Sequence, residues 1–225
     1  MKSTQFLFAL GTLFLAVACS RAPEGQKVED TAAVETPATS ASDAGVTYAV
    51  NTANSIINWT GSKPAYSHMG TAKISSGNIV VDNGNIVGGE FIIDMNSIEN
   101  KDLEGEKKAK LEGHLKTGDF FETEKYPTGT FTIASVAPAS GIPDATHTIT
   151  GNLTLRDKTR AITIPANIAM SAGEISAVTP SFTINRTNWD INFNSGVIGT
   201  AADKLINDEI GLVISLKAEA PQAIQ

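Results

Sequence analysis

The chain of 225 residues has a single cysteine, only three histidines and no apolar run long enough to cross a bilayer. A lone cysteine cannot form an internal disulfide, so it is either an unpaired thiol, an intermolecular bridge or a modified residue. The histidines at positions 68, 114 and 147 lack the spacing of metal ligands. No nucleophile elbow, His-x-x-x-His pair or phosphate-binding glycine loop is present, and we therefore expect neither a metal site nor an enzyme.

Positive charge is also scarce, because 17 basic side chains stand against 24 acidic ones and the net charge is −7. This balance disfavours nucleic acid as a partner. Anionic membrane surfaces would repel it as well, so any attachment to a membrane should come from acyl chains.

The N-terminus has the pattern of an export signal. Lys2 precedes an uncharged apolar run over residues 6–18, which is shorter than the roughly 20 residues of a membrane span. The sequence "LAVAC" resembles the lipobox of bacterial lipoproteins, although its leucine lies one position earlier than is usual. This resemblance implies cleavage of a signal peptide, residues 1–18, and lipidation of Cys19 in the cell envelope, facing the periplasm. Ser20 favours the outer membrane by analogy with enteric bacteria.

Residues 20–45 are rich in Ala, Thr, Ser, Glu and Pro and have few large apolar side chains. Such a composition buries too little surface to fold. We therefore predict that residues 19–45 form a lipidated cysteine and a flexible tether. Residues 46–220 are then one domain, and residues 221–225 a short tail.

Within the domain, short segments alternate between apolar and polar residues and are separated by Gly, Asn, Asp and Pro. This pattern predicts about eight antiparallel strands in a barrel or sandwich. Asp82-Asn83-Gly84 predicts a tight hairpin, and Arg156 to Thr159 the turn of a second one. There is no βαβ rhythm.

One segment departs from the alternation. Residues 100–116, "NKDLEGEKKAKLEGHLK", have early acids and later lysines, as a helix would. Leu111 and Leu115 share a face and should pack on the sheet. Phe120, Phe121 and Tyr126 follow directly, and we predict that they close one end of the barrel.

Together these patterns predict an all-β antiparallel barrel of about eight strands with one helical insertion covering it. A barrel of that size holds either its own side chains or one small guest. The sequence alone leaves both states open.

Three motifs resemble the YceI-like family, secreted lipocalin-like barrels that bind polyisoprenoids or other apolar chains. The middle motif corresponds to Ser97-Ile98, Asp102, His114-Leu115-Lys116, Asp119-Phe120-Phe121 and Tyr126-Pro127. The segments "GNLTLRDKTRAITIP" and "FTINRTNWDINFN" resemble the later ones. The resemblance covers roughly Tyr48 to Ala218. The family's aromatic-Gly after Arg186 is replaced here by Asn188-Trp189-Asp190.

The first functional hypothesis is therefore a non-catalytic barrel, without a cofactor, that holds a polyisoprenoid, an isoprenoid quinone or a similar lipid. The residues expected to contact the ligand are apolar and face inward by alternation or close the end of the barrel: Ile57, Trp59, Phe91, Ile93, Phe120, Phe121, Phe131, Ile133, Leu153, Leu155, Phe182, Ile184, Trp189 and Phe193. His114, Asp119 and Arg186 are expected as a polar rim with a structural role.

Two alternatives use other parts of the chain. A self-filled barrel would act through its surface as an interaction or stress-related module. A hydrolase would gather Asp102, His114 and Asp119, with Arg186 nearby, and is the least supported reading because no activated nucleophile accompanies them. The sequence leaves open the protein partner, and whether the domain forms a homodimer.

Overall fold

The computed structural model describes residues 23–37, 45–171 and 173–221. The predicted signal peptide, Cys19 and residues 222–225 of the tail lie outside the described residues. No helix in the described part of the chain has the length and apolar character needed to cross a bilayer.

Twelve strands and one α-helix make up the described fold. The strands, numbered along the chain, are β1 Gln26–Lys27, β2 Asp30–Ala32, β3 Val46–Val50, β4 Ile56–Lys63, β5 Tyr66–Asp82, β6 Asn85–Asn100, β7 Thr128–Pro138, β8 His147–Leu155, β9 Lys158–Ser171, β10 Glu174–Val178, β11 Phe182–Asn185 and β12 Glu209–Glu219. The helix is α1, Gly105–Leu115, and 3₁₀ turns cover Thr52–Asn54, Arg186–Trp189 and Gly196–Ile198.

Eight of these strands close a ring of antiparallel neighbours. Strands β4 to β10 pair in order, and β12 joins β10 to β4. The ring closes where Leu212 of β12 pairs with Trp59 of β4. Strands β3 and β11 extend the sheet beside β12 without belonging to the ring. The prediction of an antiparallel barrel with one covering helix is confirmed.

The β5–β6 hairpin shows how a local sequence signal determines one strand pairing of the ring. Asn83 and Gly84 both have positive φ, 49° and 79°. That geometry suits a two-residue hairpin turn and favours Asn-Gly. The pairing resumes directly after the turn, between Asp82 and Asn85.

The helix begins later than the sequence pattern predicts. The side chain of Asn100 accepts a hydrogen bond from the backbone NH of Leu103, which holds the preceding residues in a turn. Two polar contacts then fix α1 to β6: Glu112 accepts from the NH of Asn100, and Lys108 donates to Glu99. The helix is therefore held by packing and by these contacts.

The prediction of a flexible tether over residues 19–45 is wrong for residues 26–32. Strand β1 pairs in parallel with β11, and β2 pairs antiparallel with β9. Val28, between them, is 4% exposed and belongs to the core. Residues 23–37, which we call the N-terminal strap, thus fill a seam in the barrel wall between β9 and β11.

Polar contacts reinforce the strap on both sides of this seam. Asp30 accepts hydrogen bonds from Arg160 on β9 and from Asn188 after β11. The amide of Asn152 exchanges two hydrogen bonds with the backbone of Val34. The composition argument failed because backbone pairing and one buried valine hold the strap, and neither needs an apolar-rich sequence.

Candidate functional site

An apolar cavity lies inside the ring and is the candidate site. Its volume is about 280 Å³, close to the lower end of small-molecule pockets, about 300 Å³. Each of the eight ring strands contributes apolar side chains to the lining, and α1 adds Leu111 and Leu115 at one end. A cavity lined in this way favours an apolar guest, because polar ligands would lose their hydration without new hydrogen bonds.

Most of the side chains predicted to contact a ligand line this cavity. They come from five strands and from the segment after α1: Ile57, Trp59, Phe91, Ile93, Phe120, Phe121, Phe131, Ile133, Leu153, Leu155, Phe182 and Ile184. Alternation predicted their direction because successive side chains of a strand point to opposite faces. The structure therefore brings them together, and their contact with a ligand remains a prediction.

Trp189 and Phe193 do not belong to the cavity lining. Trp189 lies in a 3₁₀ turn that ends the alternation after β11, and its indole NH donates to the carbonyl of Leu153 at 3.0 Å. Phe193 instead packs outside the lining against the rings of His114 and Phe120. Both side chains contact residues of the lining without lining the cavity themselves. The prediction that they face the cavity is therefore wrong.

Sequence analysis missed many lining residues, including those on β5, β10 and β12; the row on β9 consists of Ile162, Ile164, Ala166 and Ile168. They lie at every second position of a segment that was predicted as a strand. The same alternation that indicated Leu153 and Leu155 could have found them.

Polar lining residues mark one end of the cavity. Ser62, Lys63, Tyr66 and His68 line it around the β4–β5 turn, close to Leu111 of α1. We call this end the mouth. A shallow depression beside it is lined by Tyr66, His68, Leu103, Lys107, Lys110, Leu111 and His114.

Asp102 holds His68 at the mouth. Its carboxylate lies 2.7 Å from His68 Nδ1 and accepts hydrogen bonds from the NH of Met69 and the amide of Asn100. Burial acts to raise the pKa of Asp102, but these hydrogen bonds outweigh it and hold the pKa below its ordinary value. The acid is thus occupied in fixing the β5 backbone.

His114 is held by a different acid. Its Nε2 lies 2.8 Å from the Asp119 carboxylate, and its ring meets the faces of Phe120 and Phe193 edge-on. This confirms neither catalysis nor ligand contact. His114 and Asp119 join the end of α1 to the aromatic corner, and their expected structural role stays a prediction.

Arg186 lines the cavity, but every nitrogen of its guanidinium already donates a hydrogen bond within the protein. The side chain is 2% exposed and donates to the carbonyls of Ile191, Ile206 and Asn207 and to the Asp208 carboxylate, at 2.6 to 3.2 Å. Burial lowers the pKa of Arg186, and Asp208 opposes that shift. The predicted hydrolase cluster is not assembled, because Asp102 pairs with His68 and Arg186 pairs with Asp208.

Nowhere in the described part of the chain do three or more His, Cys, Asp or Glu side chains form a group that could hold a metal ion. What the site offers is an apolar space with a partly polar mouth.

Comparison with known proteins agrees with this architecture. The structure resembles that of BcnA from Burkholderia cenocepacia, with a TM-score of 0.60 and 22% identity over 75% of this chain and 99% of BcnA. It also resembles a polyisoprenoid binding domain from Saccharophagus degradans implicated in plant cell wall breakdown, with a TM-score of 0.55 and 17% identity over 78% and 99% of the two chains. At these identities the likeness shows the fold alone.

The sequence is also similar to UPF0312 proteins. A UPF0312 protein of Vibrio vulnificus is 27% identical over 170 residues, which are 70% of this chain and 85% of that protein. UPF0312 proteins of Staphylococcus aureus are 30% identical over 97 residues, 40% of this chain, and the match spans about half of their length, 52%.

A family model described as the YceI-like domain matches residues 48–218. The match runs from β3 through every strand of the closed ring into β12, and so includes the cavity and α1. The N-terminal strap precedes it. The chain therefore belongs to the YceI-like domain family.

Proposed function

We propose that this protein binds a long apolar ligand, a polyisoprenoid, an isoprenoid quinone or a similar lipid, inside its barrel, and acts as a non-catalytic carrier or store. The observation that carries this proposal is the apolar cavity inside the closed ring, with its lining from all eight ring strands. The similar domain from Saccharophagus degradans is a polyisoprenoid binding domain, which supports this ligand class.

The energetics suit a chain-like ligand. Burying one isoprene unit of five carbons yields roughly 3–4 kcal/mol at about 0.8 kcal/mol per methylene. Association costs on the order of 4–15 kcal/mol, so a few buried units are enough for binding. No reactive group is needed.

The site of action in this proposal is the cell envelope. The export pattern and the lipobox-like "LAVAC" support lipidation at Cys19 and anchoring at a membrane facing the periplasm, with Ser20 favouring the outer one. A cavity of this size gives less support to a self-filled barrel that acts only through its surface.

The test is native mass spectrometry, followed by organic extraction, of a chain that starts at Ser20 and so retains every described residue. Ala166→Phe places a ring in the cavity, because Ala166 is fully buried and lines it. Ala169→Phe is the matched control, since Ala169 is exposed on the same strand.

We expect a stoichiometric apolar chain in the unmodified protein and in the control, and strongly reduced occupancy in Ala166→Phe. An apo mass that accepts neither an isoprenoid quinone nor an isoprenoid alcohol would contradict the proposal. Full occupancy in Ala166→Phe would show that the cavity is not the binding site.

A further inference from the structure

The loop between β11 and β12 crosses the mouth of the barrel. At its start, Phe193 packs against the ring of His114 on α1, with centroids 4.9 Å apart. At its end, Asn207 lines the cavity and its NH donates to the carbonyl of Ser62 on β4. The loop is therefore anchored at the mouth on both sides, and its tip projects from there between residues 194 and 206.

Two β-branched apolar side chains stand at that tip without cover. Val197 is 74% exposed and Ile198 is 61% exposed. A buried serine holds their turn, because Ser195 Oγ accepts from the NH of Val197 at 3.1 Å, and Gly199 ends the turn with φ 75°. The backbone thus presents both side chains outward in a fixed turn, an arrangement that is costly in water and suggests a partner.

The N-terminal strap brings the start of the mature chain to the same end. Pro23 packs on Gly211, where a β-carbon would come within 2.8 Å of it, and Gly211 pairs with Thr60 on β4. Thr60 lies two residues before Ser62 at the mouth. Cys19 precedes Pro23 by four residues, which span at most about 14 Å.

We propose that the mouth of the barrel docks on a lipid bilayer, with Val197 and Ile198 entering its interfacial layer. Tyr66 and Lys63 lie beside the mouth, with the ammonium of Lys63 5.9 Å from the Tyr66 ring centre, and such amphipathic side chains suit an interface. An acyl group on Cys19 holds this end at the membrane. The proposal rests on the proposed lipid binding for its purpose, since a docked mouth lets an apolar chain pass between bilayer and cavity without crossing water.

The test measures co-flotation with phosphatidylcholine vesicles of the chain that starts at Ser20, without acyl groups. Zwitterionic vesicles isolate the apolar contribution, because the chain from Ser20 has lost Lys2, and its 16 basic against 24 acidic side chains, a net charge of −8, disfavour anionic surfaces. The test variant is Val197→Ser with Ile198→Ser. The matched control is Val87→Ser with Met170→Ser. Both residues are exposed and apolar, and they lie away from the mouth, Val87 near the start of β6 and Met170 near the end of β9.

We expect the unmodified chain and the control to bind the vesicles equally. The partition coefficient of the Val197/Ile198 variant should be lower by about tenfold or more. Equal flotation of both variants, or no binding by the unmodified chain, would overturn the proposal. A dimer in analytical ultracentrifugation that only the Val197/Ile198 variant loses, without vesicle binding, would assign the patch to a second copy and also overturn it. Ligand occupancy by native mass spectrometry is read separately, so failure of docking and failure of lipid binding are distinguishable.

Discussion

At the scale of single residues, the cavity stays apolar because the polar atoms near it are bound to the backbone. The indole NH of Trp59 donates to the carbonyl of Thr71 at 3.2 Å, which leaves its ring facing the cavity. The guanidinium of Arg186 likewise donates its hydrogen bonds within the protein, to three carbonyls and one carboxylate. A polar side chain can therefore line this site without offering a hydrogen bond to a guest.

Replacing Arg186 with methionine tests this structural role. Asp208 would lose its partner and three carbonyls would lose their donor, so we expect the free energy of unfolding in urea to fall by about 3 kcal/mol or more. Lys101→Met is the control, because Lys101 and Glu99 form an exposed ion pair that should contribute about 0–1 kcal/mol. Equal losses in the two variants would show that Arg186 does not brace the wall.

The Asp102 carboxylate predicts a specific dependence on pH. Its pKa is lower in the folded protein, so the stability it contributes is present above its unfolded pKa, about 3.9, and is lost as pH falls through the folded value. We expect the unmodified protein to exceed Asp102→Asn in unfolding free energy at pH 6. That difference should shrink below about pH 4, as measured by urea unfolding at each pH. A difference that is independent of pH would contradict this account.

Alternation predicts single residues well only while the strand continues. It placed Phe182 and Ile184 of β11 in the cavity lining. It failed at Trp189, because the chain turns into a 3₁₀ helix at Arg186 and no longer alternates. The indole then finds a backbone acceptor on β8, a tertiary partner that no local pattern could indicate.

At the scale of elements, α1 and the corner after it act as one cover. Leu111, Leu115, Phe120 and Phe121 all line the cavity, whereas Tyr126 does not and lies near Arg156 instead. The sequence predicted the helix and the aromatic seal from composition, but it could not separate Tyr126 from the two phenylalanines.

Alanine at both Phe120 and Phe121 should therefore loosen the cover. Phe120 is 8% exposed and Phe121 is partly buried, so we expect a loss of several kcal/mol in unfolding free energy, with about 3–5 kcal/mol typical of one buried phenylalanine. Tyr66→Ala, at a half-exposed aromatic of the same end, should change it far less. A small effect on thermal unfolding in the double variant would show that the seal lies elsewhere.

The N-terminal strap predicts different losses of stability for the same substitution at two of its valines. Val28→Asp would bury a carboxylate in the seam between β9 and β11, and we expect it to cost about 2 kcal/mol or more of unfolding free energy. Val34→Asp should be nearly neutral, because Val34 is exposed and holds Asn152 through its backbone. Urea unfolding compares the two, and equal stability would mean that the strap does not close the wall.

At the scale of the whole molecule, the family domain and the strap form one barrel wall. The family match begins at residue 48, yet the wall between β9 and β11 is completed by residues before it. Alternation and hairpin signals predicted the antiparallel strands inside the domain. The docking of the strap did not, because it depends on edge strands that exist only once the ring has formed.

The closed barrel also predicts how the molecule responds to its ligand. A guest that binds only the folded protein stabilises it by about 2.7 kcal/mol at a concentration one hundred times the dissociation constant. For a chain of this size, that corresponds to a rise of about 5–10 °C in the melting temperature. After extraction of any bound lipid, an isoprenoid alcohol should therefore raise the melting temperature of the unmodified chain and of Ala169→Phe. Ala166→Phe should show little rise, because its added ring occupies the same space, and a full rise in that variant would place the ligand outside the cavity.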